Sequence, residues 1–223
     1  MRFQLVGGVP VVSGTVNGEP VDNIILDTGS ADTWVLGEWQ PRDEPLHVKL
    51  KGGCSTVAKF ERAPTSSMML TYPVILGLAD MPRGCLVMDF DAKTAVCGQP
   101  FSGTPLRCRH GPTGLVQVRT KSGHWLAVDT GSAGTTFSGV KAPRGARCCT
   151  SLVRFDDEEL ELRWVKRALE LELAGGGWQA LRPHRLEYSR KKYSEEADGF
   201  LGRESLRGAV LCVDPRTPRV SIT

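Results

Sequence analysis

Short runs of alternating apolar and polar residues, broken by glycine-containing turns, recur along the chain. Residues 9–12 and 15–16 form one such run, and residues 21–26 form the next. Between them lies Asn17-Gly18, the kind of dipeptide that most strongly favours a tight hairpin turn. The pattern therefore predicts two antiparallel strands, the second of which leads directly into Asp27.

The second half of the chain shows the same arrangement. Residues 115–118 alternate, Ser122-Gly123 predicts a turn, and residues 124–128 return as an apolar run that ends at Asp129. Each of the two aspartates is therefore expected just beyond the second strand of a hairpin.

A further pair of matching segments follows the two hairpins. Residues 74–77 end in Leu-Gly and are followed by an apolar run that reaches Asp89. Residues 200–202 also end in Leu-Gly, and an equivalent run reaches Asp214 at the same spacing. Two landmarks in the same order indicate an internal duplication of the chain.

The duplication predicts an N-terminal lobe over residues 1–100 and a C-terminal lobe over residues 101–223. A segment containing glycine and proline at residues 98–105 is the natural linker between them. In the first lobe, residues 47–57 predict a hairpin with Gly52-Gly53 at its tip. The second lobe carries an insertion at about residues 150–195.

Two structures stay open for part of this insertion. Acidic residues at 156–159, ahead of mixed apolar and basic residues, are typical of the start of a helix. The strict alternation of leucine and glutamate at residues 169–173 is typical of a strand instead.

Composition narrows the class of protein. A chain of 223 residues suits one domain or two small lobes, and its 25 glycines and 14 prolines favour a turn-rich β protein over a helical bundle. The net charge of +3 argues neither for nor against a nucleic-acid partner. The basic stretch at residues 182–192 lacks the charge density and interleaved aromatics of a nucleic-acid surface. We therefore expect a solvated loop there and no nucleic-acid partner.

The chain also lacks the sequence features of a membrane protein. No stretch reaches the roughly 18 apolar residues needed to cross a bilayer, so we expect no membrane partner. Residues 1–10 are interrupted by glycine and proline and lack the apolar core of a signal peptide. These features favour an intracellular protein, unless the chain is a mature piece of a longer precursor.

Potential metal ligands are present but not suitably spaced. The seven cysteines and four histidines show none of the spacings that are typical of a zinc site. We therefore expect no metal and no cofactor, and we expect the cysteines to be buried, reduced thiols.

The most informative feature is the pentapeptide Asp-Thr-Gly-Ser-Ala, which occurs at residues 27–31 and again at residues 129–133. Each copy follows an apolar run. Burying a lone charged carboxylate costs several kcal/mol or forces it to take up a proton. Two copies in equivalent places indicate that each aspartate is the partner of the other.

With these motifs the sequence resembles the aspartic proteases of the pepsin and retropepsin clan. Residues 27–35 are similar to the first catalytic motif of pepsin-like enzymes, and residues 129–132 are similar to the second. The apolar-apolar-Gly segments at 75–77 and 200–202 resemble the ψ-loop elements of the family. The resemblance implies a mainly β, bilobed acid-protease fold with two retropepsin-like β-barrel lobes.

The resemblance also implies roles for individual residues. Asp27 and Asp129 would be the catalytic pair that shares one proton and activates a water. The supporting roles would be cross-linking of the two loops by Thr28 and Thr130, backbone N–H donation to the carboxylates by Gly29 and Gly131, and hydroxyl donation to the outer carboxylate oxygens by Ser30 and Ser132. Trp34 would line the substrate pocket. Gly52-Gly53 would form the tip of a flap, although residues 49–57 lack the tyrosine that pepsin-like flaps carry.

The implied activity is that of an aspartic endopeptidase. It would act as a monomer on an extended polypeptide, which would bind as an added β-strand. Two alternatives stay open: an inactive relative that binds peptides in the same cleft, and the protease segment of a retroelement-like polyprotein.

Overall fold

A computed structural model describes residues 1–35, 45–62, 72–81, 83–153, 159–192 and 195–223 of the chain. This described part is almost entirely β-structure, as the sequence predicted. Within it, no helix is both long and apolar enough to cross a membrane.

The first half begins with the predicted hairpin. Asn17 and Gly18 both have positive φ, at 51° and 84°, as a tight two-residue hairpin turn requires. The strands of this half are β1 Gln4–Val6, β2 Val9–Val16, β3 Glu19–Asp27, β4 Thr33–Val35, β5 Leu46–Leu50, β6 Ser55–Ala58, β7 Phe60–Arg62, β8 Val74–Gly77, β9 Cys85–Asp89 and β10 Thr94–Gln99. A short 3₁₀ helix, Leu78–Asp80, follows β8.

The second half has an equivalent hairpin in β12 and β13. The strands of this half are β11 Cys108–His110, β12 Val116–Arg119, β13 Trp125–Val128, β14 Thr135–Ser138, β15 Arg147–Val153, β16 Glu159–Arg167, β17 Glu170–Glu172, β18 Trp178–Ala180, β19 His184–Ser189, β20 Gly199–Leu201, β21 Val210–Asp214 and β22 Arg219–Ile222. A second 3₁₀ helix, Arg203–Leu206, follows β20 and corresponds to the helix after β8.

Two large sheets repeat one topology. The described strands of the first sheet are ordered β6-β5-β2-β3-β8-β4-β7, and β1 also pairs with β2. Those of the second sheet are ordered β11-β12-β13-β20-β14-β19-β16-β15. In each sheet the strand that leads to an aspartate pairs in parallel with the Leu-Gly strand, through Leu26 and Leu76 in one half and Val128 and Leu201 in the other. The predicted bilobed β fold with an internal duplication is therefore confirmed.

The apolar runs become strands because the sheets bury them. Leu26, Leu76, Val128 and Leu201 are each 0–1% exposed, so the parallel pairs at the centre of each half are core. A strand buried on both faces needs a continuous apolar run rather than alternation. This explains why the segments that precede the two aspartates are uniformly apolar.

A third sheet contains strands of both halves. Its order is β10-β9-β21-β22, with Leu211 of the second half opposite Met88 of the first. Because β10 continues to Gln99, the irregular part of the predicted linker begins only after this strand. The division into lobes at residue 100 stays a prediction.

The insertion in the second half is β-structure where it is described. Residues 159–167 form β16, which extends the second sheet by pairing with β19 and β15, and Glu170–Glu172 forms β17. The leucine alternation therefore indicated the correct structure, because strands expose one face and bury the other. Residues 154–158, which include most of the acidic residues that suggested a helix start, lie outside the described residues.

A disulfide corrects the expectation that the cysteines are reduced. Cys54, at the end of the turn between β5 and β6, is bonded to Cys97 on β10, with 6.0 Å between their Cα atoms. Cys85, Cys108 and Cys212 are free thiols. The pairing was not visible in the sequence because it depends on how the hairpin packs against the third sheet.

We predict that this disulfide stabilises the fold measurably. It closes a long loop, with a sequence separation of 43, so its loss should lower the free energy of unfolding by about 2–4 kcal/mol. Urea unfolding of the wild type should shift to a lower midpoint when a reductant is added. Without reductant, the Cys54→Ser/Cys97→Ser double variant should already show a midpoint below that of the wild type. A wild-type midpoint that ignores the reductant would contradict the prediction.

Candidate active site

The two pentapeptides meet at equivalent loops at the ends of equivalent strands. Asp27 is the last residue of β3, and Asp129 directly follows β13. The backbone N–H of Asp129 donates to the carbonyl of Leu201 at 3.1 Å, which ties its loop to the Leu-Gly strand. The carboxyl groups of Asp27 and Asp129 lie close enough that each affects the pKa of the other. The structure therefore brings together the two carboxyl groups that the sequence placed in separate halves.

Thr28 and Thr130 hold the two loops together by exchanging hydrogen bonds. The backbone N–H of Thr28 donates to Thr130 Oγ1 at 3.0 Å, and that of Thr130 donates to Thr28 Oγ1 at 3.1 Å. The two hydroxyls then donate across the interface, Thr28 to the carbonyl of Val128 at 2.8 Å and Thr130 to the carbonyl of Leu26 at 2.7 Å. Both threonines are 0% exposed, so each of these polar groups depends on its partner across the interface.

Gly29 and Gly131 let the two loops approach closely. The N–H of Gly29 donates to Asp27 Oδ1 at 2.8 Å. A Cβ on Gly29 would collide with the carboxyl group of Asp129, and a Cβ on Gly131 would lie 2.6 Å from Cγ of Asp27. Each glycine therefore packs against the aspartate of the opposite half, where any side chain would force the two carboxyl groups apart.

Ser30 and Ser132 support the aspartates differently from the prediction. The hydroxyl of Ser30 donates to the carbonyl of Asp32 at 2.8 Å, and that of Ser132 donates to the carbonyl of Gly134 at 3.0 Å. It is the backbone N–H groups of these serines that reach the carboxylates, with Ser132 N at 2.9 Å from Asp129 Oδ1. The predicted hydroxyl contacts are wrong because the tight turn directs its N–H groups inward and leaves each hydroxyl to bond its own loop.

Thr33 and Thr135 also support the loops, although the sequence analysis did not single them out. The N–H of Gly77 donates to Thr33 Oγ1 at 3.2 Å, and that of Gly202 donates to Thr135 Oγ1 at 3.0 Å. The two threonines occupy the same place two residues after the pentapeptides, so the repeat includes this position as well. Comparing the two halves beyond the identical pentapeptide was the signal that would have found them.

Burial and mutual charge shift the acid–base behaviour of the pair. Burial raises the pKa of Asp27 above its ordinary value, opposed by N–H donation from Gly29. Burial, followed by the negative charge of Asp27, raises the pKa of Asp129 well above its ordinary value. Two interacting carboxyl groups of this kind lose their protons in separate steps, so the pair holds one proton over a range of pH. A pair with one proton contains both a base and an acid.

Trp34 lies beside the first loop. It is half-buried on β4, and its Nε1–H donates to Ser30 Oγ at 3.1 Å. This contact links Trp34 to the loop of Asp27 through one side chain. Its role in lining the substrate pocket stays a prediction.

The Gly52-Gly53 tip lies beside Met1. A Cβ on Gly52 would lie 2.7 Å from the side chain of Met1, and the adjacent Cys54 is bonded to Cys97 in the third sheet. The predicted hairpin is present, but it packs against the chain terminus and is held there covalently. The role of Gly52-Gly53 as the tip of a flap stays a prediction.

The described part of the chain was also compared with the requirements of a metal site. Among the described residues, no group of three or more His, Cys, Asp or Glu side chains is arranged to hold a metal ion.

Comparisons with known proteins bear on the fold. No family model and no curated protein matches the chain. Among solved structures, the chain is similar to the crystal structure of aspartic proteinase from Irpex lacteus, with a TM-score of 0.51 and 12% identity. The match covers 96% of this chain and 94% of that protein's chain. At this identity the likeness shows the fold, which is the bilobed fold of aspartic proteinases.

We predict that the threonine exchange contributes to stability. Thr28→Val or Thr130→Val keeps the volume but removes a hydroxyl, which leaves a buried N–H and a buried carbonyl of the opposite half unbonded. Each variant should lower the free energy of unfolding by about 1–3 kcal/mol in urea titrations. The exposed Thr104→Val is a matched control and should change it by less than about 0.5 kcal/mol. If Thr28→Val and Thr130→Val changed the free energy of unfolding no more than Thr104→Val does, the threonine hydrogen bonds would not contribute to stability.

We predict that Asp129→Asn stabilises the protein at higher pH. Because the pKa of Asp129 is raised from 3.8, the folded state binds more protons than the unfolded state between that value and the raised pKa. The free energy of unfolding of the wild type should therefore fall as pH rises through this window, and the variant should lack this fall. Above the window the variant should be the more stable protein. Exposed Asp32→Asn should follow the wild type, and an Asp129→Asn curve parallel to wild type would refute the shift.

Proposed function

We propose that the chain is an aspartic endopeptidase that hydrolyses peptide bonds with Asp27 and Asp129. One observation carries the proposal: two buried carboxyl groups from equivalent loops affect each other's pKa, and reciprocal threonine bonds hold the two loops together. Placing two such groups together costs folding free energy, as their raised pKa values indicate. Each half contributes an equivalent loop to this costly pair of carboxyl groups. Such an arrangement is typical of a functional site.

The pair supplies both proton transfers that amide hydrolysis needs. The unprotonated carboxylate takes a proton from a water molecule while the water oxygen attacks the carbonyl carbon of the substrate. The protonated carboxyl group donates its proton to the carbonyl oxygen, which gives a neutral tetrahedral intermediate. A proton then passes to the leaving nitrogen as the C–N bond breaks. We assign these roles to the pair rather than to either aspartate, because the two titrate together.

The supporting residues keep this pair in place during the reaction. The N–H groups of Gly29 and Ser132 donate to carboxylate oxygens at 2.8 and 2.9 Å, so they restrict rotation of the two side chains. The threonine exchange fixes the separation of the two loops. Preorganised groups of this kind lower the barrier because they need no rearrangement as charge moves.

An extended polypeptide is the substrate that such a site favours. The two carboxyl groups lie where the two halves meet, so a chain that crosses this junction has residues on both sides of the bond to be cut. Proteins that bind extended peptides commonly do so by pairing them as an added strand.

We predict that Asp27→Asn and Asp129→Asn each abolish peptide cleavage. An asparagine can neither accept the proton of the water nor share one, so the rate should fall by about 10³-fold or more. Cleavage is measured by mass spectrometry on a denatured, reduced protein substrate over a range of pH. Exposed Asp32→Asn, which changes the same functional group close to the pair, should retain activity within about threefold.

Binding of a statine-type transition-state analogue separates the two main outcomes. Cleavage that is blocked by the analogue, and is lost in both aspartate variants, supports the proposal. Binding of the analogue without cleavage by the wild type would make the chain a peptide-binding relative. Cleavage retained by either aspartate variant would contradict the two-carboxylate mechanism.

A further inference from the structure

A second buried polar group lies behind Asp129 and is not used in the mechanism above. His184 on β19, Ser205 in the second 3₁₀ helix and Thr135 on β14 are at most 8% exposed. His184 Nε2 is 2.6 Å from Ser205 Oγ, and Ser205 Oγ is hydrogen-bonded to Thr135 Oγ1. Thr135 Oγ1 in turn accepts the N–H of Gly202. The three side chains form a continuous hydrogen-bonded chain from His184 to Gly202.

The contact of His184 with Arg182 determines which group donates and which accepts in each of these hydrogen bonds. His184 Nδ1 lies 2.8 Å from the carbonyl oxygen of Arg182, which can only accept, so Nδ1 carries the hydrogen. In the neutral ring Nε2 then accepts, which requires Ser205 to donate to it. Ser205 therefore accepts from Thr135, and Thr135 accepts from Gly202. Every group donates or accepts as its chemistry allows, and the chain runs in one direction.

This hydrogen-bonded series of side chains ends at Gly202, next to the strand β20 that is hydrogen-bonded to the backbone of Asp129. Gly202 follows Leu201, whose carbonyl accepts the N–H of Asp129 at 3.1 Å. Gly202 is also packed tightly against the carbonyl of Gly134 in the loop that follows Asp129. A change in the hydrogen bond of Gly202 therefore acts on the backbone on both sides of the second pentapeptide.

The first half lacks the equivalent side chains. There, the N–H of Gly77 donates to Thr33, as in the second half. Ala58, however, occupies the place of His184, two residues before the partner of the threonine on the neighbouring strand. Asp80 stands where the second half has Ser205. The basic fold therefore does not require the histidine and serine, which are specific to the Asp129 half.

We propose that His184 is a positioning residue for Asp129, and that its neutral form is the one that supports peptide cleavage. The inference rests on the proposed peptidase function. When His184 takes up a proton, both ring nitrogens become donors, so Ser205 can no longer donate to Nε2. Ser205 then turns its hydrogen toward Thr135, and the hydroxyl of Thr135 loses its acceptor. Protonation of His184 therefore weakens the hydrogen bond by which Thr135 holds the N–H of Gly202.

The surroundings of His184 keep it neutral. Burial lowers the pKa of His184 below its ordinary value of 6.5, opposed by the carbonyl of Arg182 and the charge of Glu204. The ionisable groups around the ring are Glu204 on the helix that carries Ser205, Arg167 opposite on β16, and Arg182 in the preceding loop. The chain is therefore intact at neutral and mildly acidic pH and fails as pH falls through the lowered pKa. Activity should decline on the acidic side for this reason.

Three variants test the inference through kcat, KM and the pH profile of cleavage. His184→Leu removes the acceptor and should lower kcat by about tenfold or more while KM changes by less than about threefold. His184→Gln offers an acceptor that does not titrate, so it should retain kcat at neutral pH within about threefold and extend activity to lower pH. Exposed His47→Gln is the matched control and should reproduce the wild-type profile.

Nuclear magnetic resonance gives a readout that does not depend on cleavage. The ¹⁵N shifts of His184 should show a neutral ring protonated on Nδ1, and the amide signal of Gly202 should titrate together with His184. In His184→Gln that titration of the Gly202 amide should disappear. A wild type that does not cleave peptides refutes the proposed function, while these signals still decide the inference.

Several results would overturn the inference. Unchanged kcat and pH profile in His184→Leu would show that the histidine does not position the site. A His184→Gln variant with the wild-type acidic limb would show that another group sets it. A Gly202 amide that ignores the protonation of His184 would show that the chain does not transmit the change, even if His184→Leu failed to fold.

Discussion

The structure depends on the reciprocal hydrogen bonds between Thr28 and Thr130. Each threonine accepts a backbone N–H of the opposite half and donates to a carbonyl of the opposite half, in a place that solvent does not reach. The bonds hold the two loops at a fixed separation, and the glycines at 29 and 131 make that separation short. The contact between the carboxyl groups, their raised pKa values and the sharing of a proton follow from this arrangement. The chemistry we propose is a consequence of how the two halves are joined.

The two halves share a frame but differ in what has been added to it. Each half contributes an aspartate loop, a Leu-Gly strand in parallel with it and a threonine that accepts the N–H after that strand. The first half adds a hairpin held by a disulfide to the third sheet. The second half adds the hydrogen-bonded side chains that run from His184 to Gly202. The features that both halves share account for the pair of carboxyl groups. The features that only one half has are the candidates for regulating that pair.

Sequence reasoning predicted the features that local pattern and repetition determine. The hairpin turn at Asn17-Gly18, the apolar strands before the two aspartates and the duplication all leave signals in neighbouring residues. It failed where the answer depends on distant contacts. The disulfide between Cys54 and Cys97 joins segments that are distant in sequence, and the hydroxyls of Ser30 and Ser132 bond their own loops rather than the carboxylates. His184 and Ser205 are far apart in sequence and belong to no motif, so only the fold shows that they meet.

The most direct test of this account follows the two aspartate carboxyl carbons by ¹³C magnetic resonance while the pH is varied. We predict two well-separated titration steps that both carboxyl groups report together, with one proton retained by the pair between them. Removal of one partner, in Asp27→Asn, should lower the pKa of Asp129, because the charge of Asp27 contributes to raising it. Two independent titrations near the ordinary pKa of 3.8 would contradict the shared proton and the mechanism built on it.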